Sequence, residues 1–346
     1  MRNIRKLLAL LIAAVMAFGL TGCGEAERHD AQITSMDTVM GFTAYGTNGE
    51  AGIEAAEKLI NALDSMLDPE LRSSTVYAIN HAGGAGTTVT GQIAEMLDVA
   101  STVYERSDGA LDPTIYPLVR AWGFIDAQYR VPSDSEIESL MANVGFDKVS
   151  ISEISGSDSL LVTMPSGTEL TFASLAKGCA AKYAAQAMAA AGVKSAIISL
   201  GGNVQTLGTK PDGSNWSVAI QDPENINDYI GIITVGESAV VTAGGYQRYF
   251  VASDGTVYQH IIDPSTGRPA ASGLLSVTIV CEDGTMADAL STALFVLGER
   301  GAEEYYKTYD GFEMVLVTSD GRTIVSGGLT DMFEPNGTRE VEYVRR

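Results

Sequence analysis

The sequence predicts an α+β fold of antiparallel sheets with packed helices, and two observations carry that prediction. Short apolar segments recur in runs: SAIISL (195–200), WSVAI (216–220), IGIITV (230–235), AVVT (239–242), SVTIVC (276–281) and EMVLVT (313–318). Helical patterns interrupt these runs without the strict strand–helix alternation of a parallel sheet. With 346 residues, 45% of them hydrophobic, the chain can bury a large core. One unit over 32–346 is expected, with two lobes and a cleft between them.

The elements follow in order. Arg2, Arg5 and Lys6 precede an apolar run, Leu7 to Leu20, that ends at Leu20-Thr21-Gly22-Cys23. A basic start, a short apolar stretch and small residues before a Cys form a lipoprotein signal, so 1–22 is removed and Cys23 becomes the acylated first residue. Several acyl chains anchor stably because each buried methylene adds to the affinity. Residues 23–31 would be the lipidated tether, placing the body on the extracytoplasmic face of a bacterial membrane.

Residues 33–45 (ITSMDTVMGFTAY) read as a strand. Ile53, Ala56, Ile60, Leu63 and Leu67 recur at helical spacing, as do Ile93, Met96, Leu97, Ala100 and Tyr104. Ser133 caps a third helix, which carries Ile137, Leu140, Met141 and Val144. Residues 149–172 hold hairpin strands, and 174–191 form a helix of small residues.

Asp and Glu number 43 against 22 Lys and Arg, for a net charge of −21. Processing removes three bases and no acid. Such a chain lacks the cationic surplus that phosphate backbones require, so nucleic acid is excluded as a partner. An anionic ligand would need a local cation. Three histidines cannot build a zinc cluster, and Cys179 and Cys281 read as small buried side chains.

MADALSTALFVLG (286–298) is an apolar helix with Asp288, Ser291 and Thr292 on one face. Thr285 as N-cap with Asp288 closing a capping box explains part of this, with Ser291 and Thr292 bonding back to the preceding turn. A hard-cation site explains it too, because Mg²⁺ takes few protein oxygens and fills its shell with water and phosphate. Three other stretches carry chemistry. DGALDPTIYPLVRAWGF (108–124) reads as a rigid loop, broken by Pro113 and Pro117, with Asp112 at a pocket rim. In TFASLAKGCAAKYAA (171–185), Lys177 between small residues is a point charge for phosphate, and Ser174 sits at a helix start. YQHIIDPSTGRPA (258–270) offers His260 as a proton acceptor before a turn.

In combination, MDTVMG, GALDPTIYPLVRAWGF, RVPS, ASLAKG, SLGGN, TAGGYQRYF, HIIDPSTGRP and DALSTALFVLG resemble the ApbE family of flavin transferases, from about Met36 to Gly298. The resemblance implies a T-fold-related α+β body with FAD in the cleft and Mg²⁺ on its pyrophosphate. It implies Asp288, Thr292 and the Ser174 carbonyl as metal ligands, with Ser291 adjacent. Met40, Ala110, Leu111, Asp112, Thr171, Lys177 and Ile262 take FAD-contacting positions. His260, or Asp112, would accept the proton.

The sequence departs from the family pattern at Thr171 (commonly Asp), at Ala243-Gly244-Gly245, at Cys179 and at Glu70, near where an aromatic is often found. The implied reaction moves FMN from FAD to a threonine hydroxyl of a partner flavoprotein and releases AMP. Hydrolysis of FAD to FMN and AMP, and flavin binding without catalysis, are the alternatives.

The Cys23→Ser variant is expected to leave the membrane fraction and to lose acyl labelling, with the body's chemistry intact. Retention of the Cys23→Ser protein on membranes would contradict the lipid anchor.

Overall fold

The computed structural model describes residues 26–337 and 339–346. The leader and Cys23 lie outside the described residues. No helix among the described residues is long and apolar enough to cross a membrane.

A nine-stranded sheet forms the centre. In spatial order its strands are Arg28–Ser35, Thr38–Tyr45, Ser195–Leu200, Asn203–Leu207, Ala239–Gly244, Leu274–Cys281, Phe312–Thr318, Arg322–Ser326 and Glu340–Val344. Neighbours run antiparallel except the last pair. Seven helices are described: α1 (Gly49–Leu67), α2 (Thr75–Asn80), α3 (Gly91–Arg106), α4 (Tyr116–Ala121), α5 (Asp134–Met141), α6 (Ala176–Ala190) and α7 (Gly284–Thr308). The fold is therefore α+β with antiparallel sheets, as the runs of strands predict.

The strands read as unbroken apolar runs because both faces of the sheet are covered. Ile198, Val241, Ile279, Met314, Leu316 and Ile324 face the helical layer. Their neighbours Ile197, Val240, Val280, Val315, Val317 and Val325 face a three-stranded sheet, Trp216–Gln221, Tyr229–Val235 and Phe333–Pro335. A smaller core gathers Leu118, Trp122, Phe124, Ile137, Val144 and Ile262. Strands Ser150–Glu153 and Leu160–Thr163 pair as the expected hairpin, joined by Thr87–Val89.

Helix α6 is short on large side chains for a structural reason. It packs against α1 on one side and α7 on the other. At the α7 crossing, a Cβ on Gly178 would collide with the Gly284 carbonyl oxygen, and one on Gly284 would lie 2.7 Å from the Gly178 carbonyl oxygen. The two backbones touch, and only glycine permits that approach. Behind the crossing, Lys182 of α6 bridges Glu95 of α3 (2.9 Å) and Asp283 (2.6 Å), while Tyr183 donates to Glu95. These charges are partly buried and share hydrogen-bonded partners, so they tie three helices together more firmly than an exposed pair would.

Several expectations are corrected. Residues 33–45 are a hairpin, not one strand: Met36 and Asp37 take left-handed conformations, and Ser35 pairs with Thr38. Asp64 of α1 steadies this turn by accepting from Ser35 Oγ (2.8 Å) and Met36 N (3.2 Å), which offsets the cost of positive φ on residues other than glycine. The hairpin begins at Arg28, inside the span expected as tether. The N-cap of α7 is Asp283, which accepts from Met286 N, and Thr285 instead donates to Glu95. Pro113 and Pro117 do not break structure. They open a 3₁₀ turn (Pro113–Ile115) and α4, in first turns where the missing N–H is no loss. Gly298 (φ 72°) interrupts α7, so the apolar helix ends where the sequence motif ends and a second helical stretch runs on to Thr308.

Candidate active site

The three polar residues on α7 have three different fates. Ser291 is 1% exposed and donates to the Asp288 carbonyl at 2.8 Å, so its hydroxyl is committed to the helix itself. Thr292, one turn from Asp288 and half-buried, makes no side-chain hydrogen bond among the described residues. Asp288 does not cap its own helix. Its Oδ2 accepts from Gly178 N at 2.8 Å, so it satisfies a first-turn N–H of α6 from across the helix crossing. Leu175, at the N-cap position of α6, supplies no side-chain cap of its own.

Because of that bond, the Gly178 N–H points to α7 rather than back to the Ser174 carbonyl one turn earlier. Among the described residues no backbone N–H donates to that carbonyl. An uncommitted carbonyl just before α6 and, one turn apart on α7, a buried carboxylate and an uncommitted hydroxyl therefore belong to the two crossing helices. All three are hard oxygen donors, the set a divalent cation such as Mg²⁺ takes. No group of three or more His, Cys, Asp or Glu suited to a metal occurs among the described residues. A cation here would lean on one carboxylate, neutral oxygens and its ligand's phosphates.

The electrostatics agree. Burial pushes the Asp288 carboxyl above the usual carboxylate range, against the opposing pull of Lys177, the Gly178 N–H and Asn203. A buried carboxylate with this little compensation gains from a cation. Asn203 is 1% exposed, and its Nδ2 has no hydrogen-bond partner although the amide lies beside Asp288. Gln205 Oε1 on the same strand is likewise buried without a partner, so two unpaired amide atoms lie on this face of the strand, each of a kind uncommon in a core.

His260 joins the same neighbourhood through Lys177, whose charge acts on both His260 and Asp288. The His260 ring Nδ1 lies 3.1 Å from the Arg248 carbonyl oxygen. A carbonyl only accepts, so Nδ1 carries the proton and Nε2 the lone pair. Burial, with Lys177 and Arg248 adding repulsion, pushes the imidazole pKa down to about 4. His260 is thus neutral at pH 7, with the basic nitrogen set by its neighbour.

Asp112 is a different case and corrects an expectation. Its Oδ1 accepts from Thr114 N (2.8 Å) and Thr114 Oγ1 (2.6 Å), and its Oδ2 from Phe146 N (3.1 Å). Oδ1 closes the 112–115 turn and Oδ2 ties it to Phe146, so Asp112 anchors this loop rather than standing at an open pocket rim. The Pro113 carbonyl accepts from Thr171 N (2.9 Å), and Asn80 brackets Leu170 through two hydrogen bonds, which places the loop leading to α6 beside that anchor. Thr171 Oγ1 accepts from Ala173 N at 3.3 Å, at the length limit of such a bond. Glu70 accepts from the buried Tyr116 hydroxyl and lies 3.7 Å from Arg120.

The remaining positions have buried side chains. Met40 (0% exposed) and Leu111 (2%) belong to the main core and Ile262 (6%) to the smaller one, while Ala110 is buried between Ser107 and Leu111. Sequence reasoning passed over Asn203 and the Gly178–Gly284 crossing. The Gly-Gly-Asn run in SLGGN and the glycines opening two helical segments were the available signals.

Comparison with known proteins places the chain in a family. The family model described as "ApbE family" matches residues 36–316. An FAD:protein FMN transferase of Escherichia coli is 28% identical over 327 residues, covering 90% of this chain and 92% of that protein. One from Treponema pallidum is 30% identical over 293 residues, covering 81% of each. The crystal structure of the ApbE protein from Thermotoga maritima superposes with a TM-score of 0.81 at 30% identity, covering 88% of this chain and 99% of that one.

Because the folded His260 pKa lies below its ordinary 6.5, the unfolded chain takes up the proton first. This residue's contribution to stability is therefore present above pH 6.5 and lost as pH falls toward 4. An NMR titration of the His260 ring is expected to show a midpoint near 4. A midpoint near 6.5 would contradict the buried, cation-flanked environment. By family model, relatives and fold together, the chain belongs to the ApbE family.

Proposed function

We propose that this chain transfers FMN from FAD to a threonine hydroxyl of an acceptor protein, releasing AMP, with Mg²⁺ held by Asp288, Thr292 and the Ser174 carbonyl. One observation carries the reading: the Asp288 carboxylate is buried at the crossing of α6 and α7, one turn from the Thr292 hydroxyl, and Lys177 acts on both this carboxylate and the neutral His260. A bound divalent cation would supply Lewis-acid neutralisation of the pyrophosphate and a template for the departing AMP. Lys177 adds a fixed positive charge for phosphate oxygens and works in ground and transition states alike. His260 Nε2 takes the proton as the acceptor oxygen forms its bond to the FMN phosphorus. The bond from that phosphorus to the bridging oxygen breaks, and AMP leaves with the electron pair. Holding the hydroxyl, the phosphorus and the base in one geometry supplies most of the rate advantage in such transfers.

The acidic charge of the chain supports this arrangement, since a dianionic pyrophosphate entering a −21 body needs local cations. Anchorage through Cys23 would place the transfer at the outer face of the cytoplasmic membrane, where the acceptor would also reside. Water in place of threonine gives FMN and AMP from the same site. Product analysis with and without an acceptor domain separates the two reactions.

Asp288→Asn keeps an acceptor for the Gly178 N–H and removes the charge. The variant is expected to unfold near the wild-type temperature and to transfer FMN on the order of a hundredfold more slowly at ordinary Mg²⁺, recovering in part as Mg²⁺ is raised. The measurement is the mass of a flavin-accepting domain after incubation with FAD. Normal transfer at ordinary Mg²⁺ would reduce Asp288 to a cap for α6.

A further inference from the structure

Strand Asn203–Leu207 carries an anomaly for a core strand. Val204 faces the three-stranded sheet and Leu207 the helical layer. Alternation sends Asn203 and Gln205 to the same side as Leu207, under the crossing of α6 and α7. Both are buried, at 1% and 5% exposure. Gln205 uses its Nε2 on the Thr206 carbonyl and presents Oε1 toward Gly284. Asn203 has no such use for its amide nitrogen, and Nδ2 is sealed from solvent without a partner. Asn203 is also fixed in place. It follows the two-residue turn Gly201-Gly202, pairs with Leu200, and on the other side registers with Val241. Its amide lies next to Asp288 and favours the charged carboxylate.

We propose that Asn203 is a positioning residue for Asp288: when the carboxylate takes up a divalent cation, the orphaned Nδ2 donates to it, and with Gly178 N on Oδ2 fixes the orientation in which the carboxylate holds that cation. The inference rests on the reading of Asp288 as a cation ligand. Its physical basis is general. A carboxylate on a two-bond side chain rotates freely unless its oxygens are bound, and ligating carboxylates are held by hydrogen bonds whose removal weakens metal binding by about 10- to 100-fold. Here one oxygen is held by the backbone of α6. A second donor, from the sheet below, prevents the group from turning about the first. An amide suits this task because it donates without adding charge. A lysine in its place would compete with the cation, and an aspartate would repel the carboxylate in the empty site.

The test uses the full chain and Mn²⁺ as the probe, with binding followed by electron paramagnetic resonance in the absence of FAD. Asn203→Ala is expected to weaken Mn²⁺ binding about tenfold and to raise the metal concentration that half-saturates FMN transfer by a similar factor. The rate at saturating metal should stay within about threefold of wild type. Asn203→Ser, which keeps a small donor, should recover part of the affinity and serves if the Ala variant folds poorly. In an Asp288→Asn background, Asn203→Ala should cost nothing further, because its effect passes through the carboxylate. Unchanged Mn²⁺ affinity in Asn203→Ala would overturn the proposal, as would an equal loss in the Asp288→Asn background. A wild-type chain that binds no Mn²⁺ would instead overturn the cation reading itself, and the transfer assay reports on the reaction independently of both.

Discussion

The contact on which the site depends is between two backbones. Gly178 and Gly284 bring the first turns of α6 and α7 together with no side chain between them. Any Cβ there would push the helices apart. Separation would break the 2.8 Å bond from Gly178 N to Asp288 Oδ2. The glycines cost something in chain entropy on folding. The surrounding packing offsets it: α6 is wedged between α1 and α7, and the Lys182, Glu95 and Asp283 group holds the far side of the crossing.

From that contact follows a simple electrostatic arrangement. A buried acid is normally destabilising, and Asp288 is only partly compensated, by an N–H, an amide and the field of Lys177. The same Lys177 helps keep His260 neutral. One lysine therefore biases an acid toward its charged form and a base toward its neutral form, the protonation states that the proposed cation binding and proton acceptance would require. Asp112 is held by three hydrogen bonds that brace its loop.

Much of this was legible in the sequence, for identifiable reasons. Periodicity located α1, α3 and α5 because each has one apolar face, and Ser133 caps α5 as its spacing to Glu136 predicts. The apolar runs marked sheet strands because both sheet faces are covered. What escaped was set by distant partners. The turn at Met36-Asp37 lacks the glycine or asparagine that announces a hairpin, since Asp64 on α1 holds it. The true cap of α7 is two residues upstream of Thr285, whose hydroxyl goes to α3. The polar face of the DALST helix was visible, but its division into Ser291 committed and Thr292 free required the three-dimensional hydrogen bonds. Asn203 gave no periodic signal at all, because a polar residue after a glycine turn looks like the turn itself.

The proposed cation site draws on the buried Asp288 carboxylate at the crossing of α6 and α7 and on two oxygens without hydrogen-bond partners among the described residues, Thr292 Oγ1 and the Ser174 carbonyl. Anomalous diffraction from crystals of the chain soaked with Mn²⁺ and FAD tests it most directly. The account predicts a manganese peak within about 2.0–2.3 Å of an Asp288 carboxylate oxygen, Thr292 Oγ1 and the Ser174 carbonyl oxygen, close to the octahedral distances of such ions. A peak on other residues, or FAD bound with its pyrophosphate away from these oxygens, would contradict it.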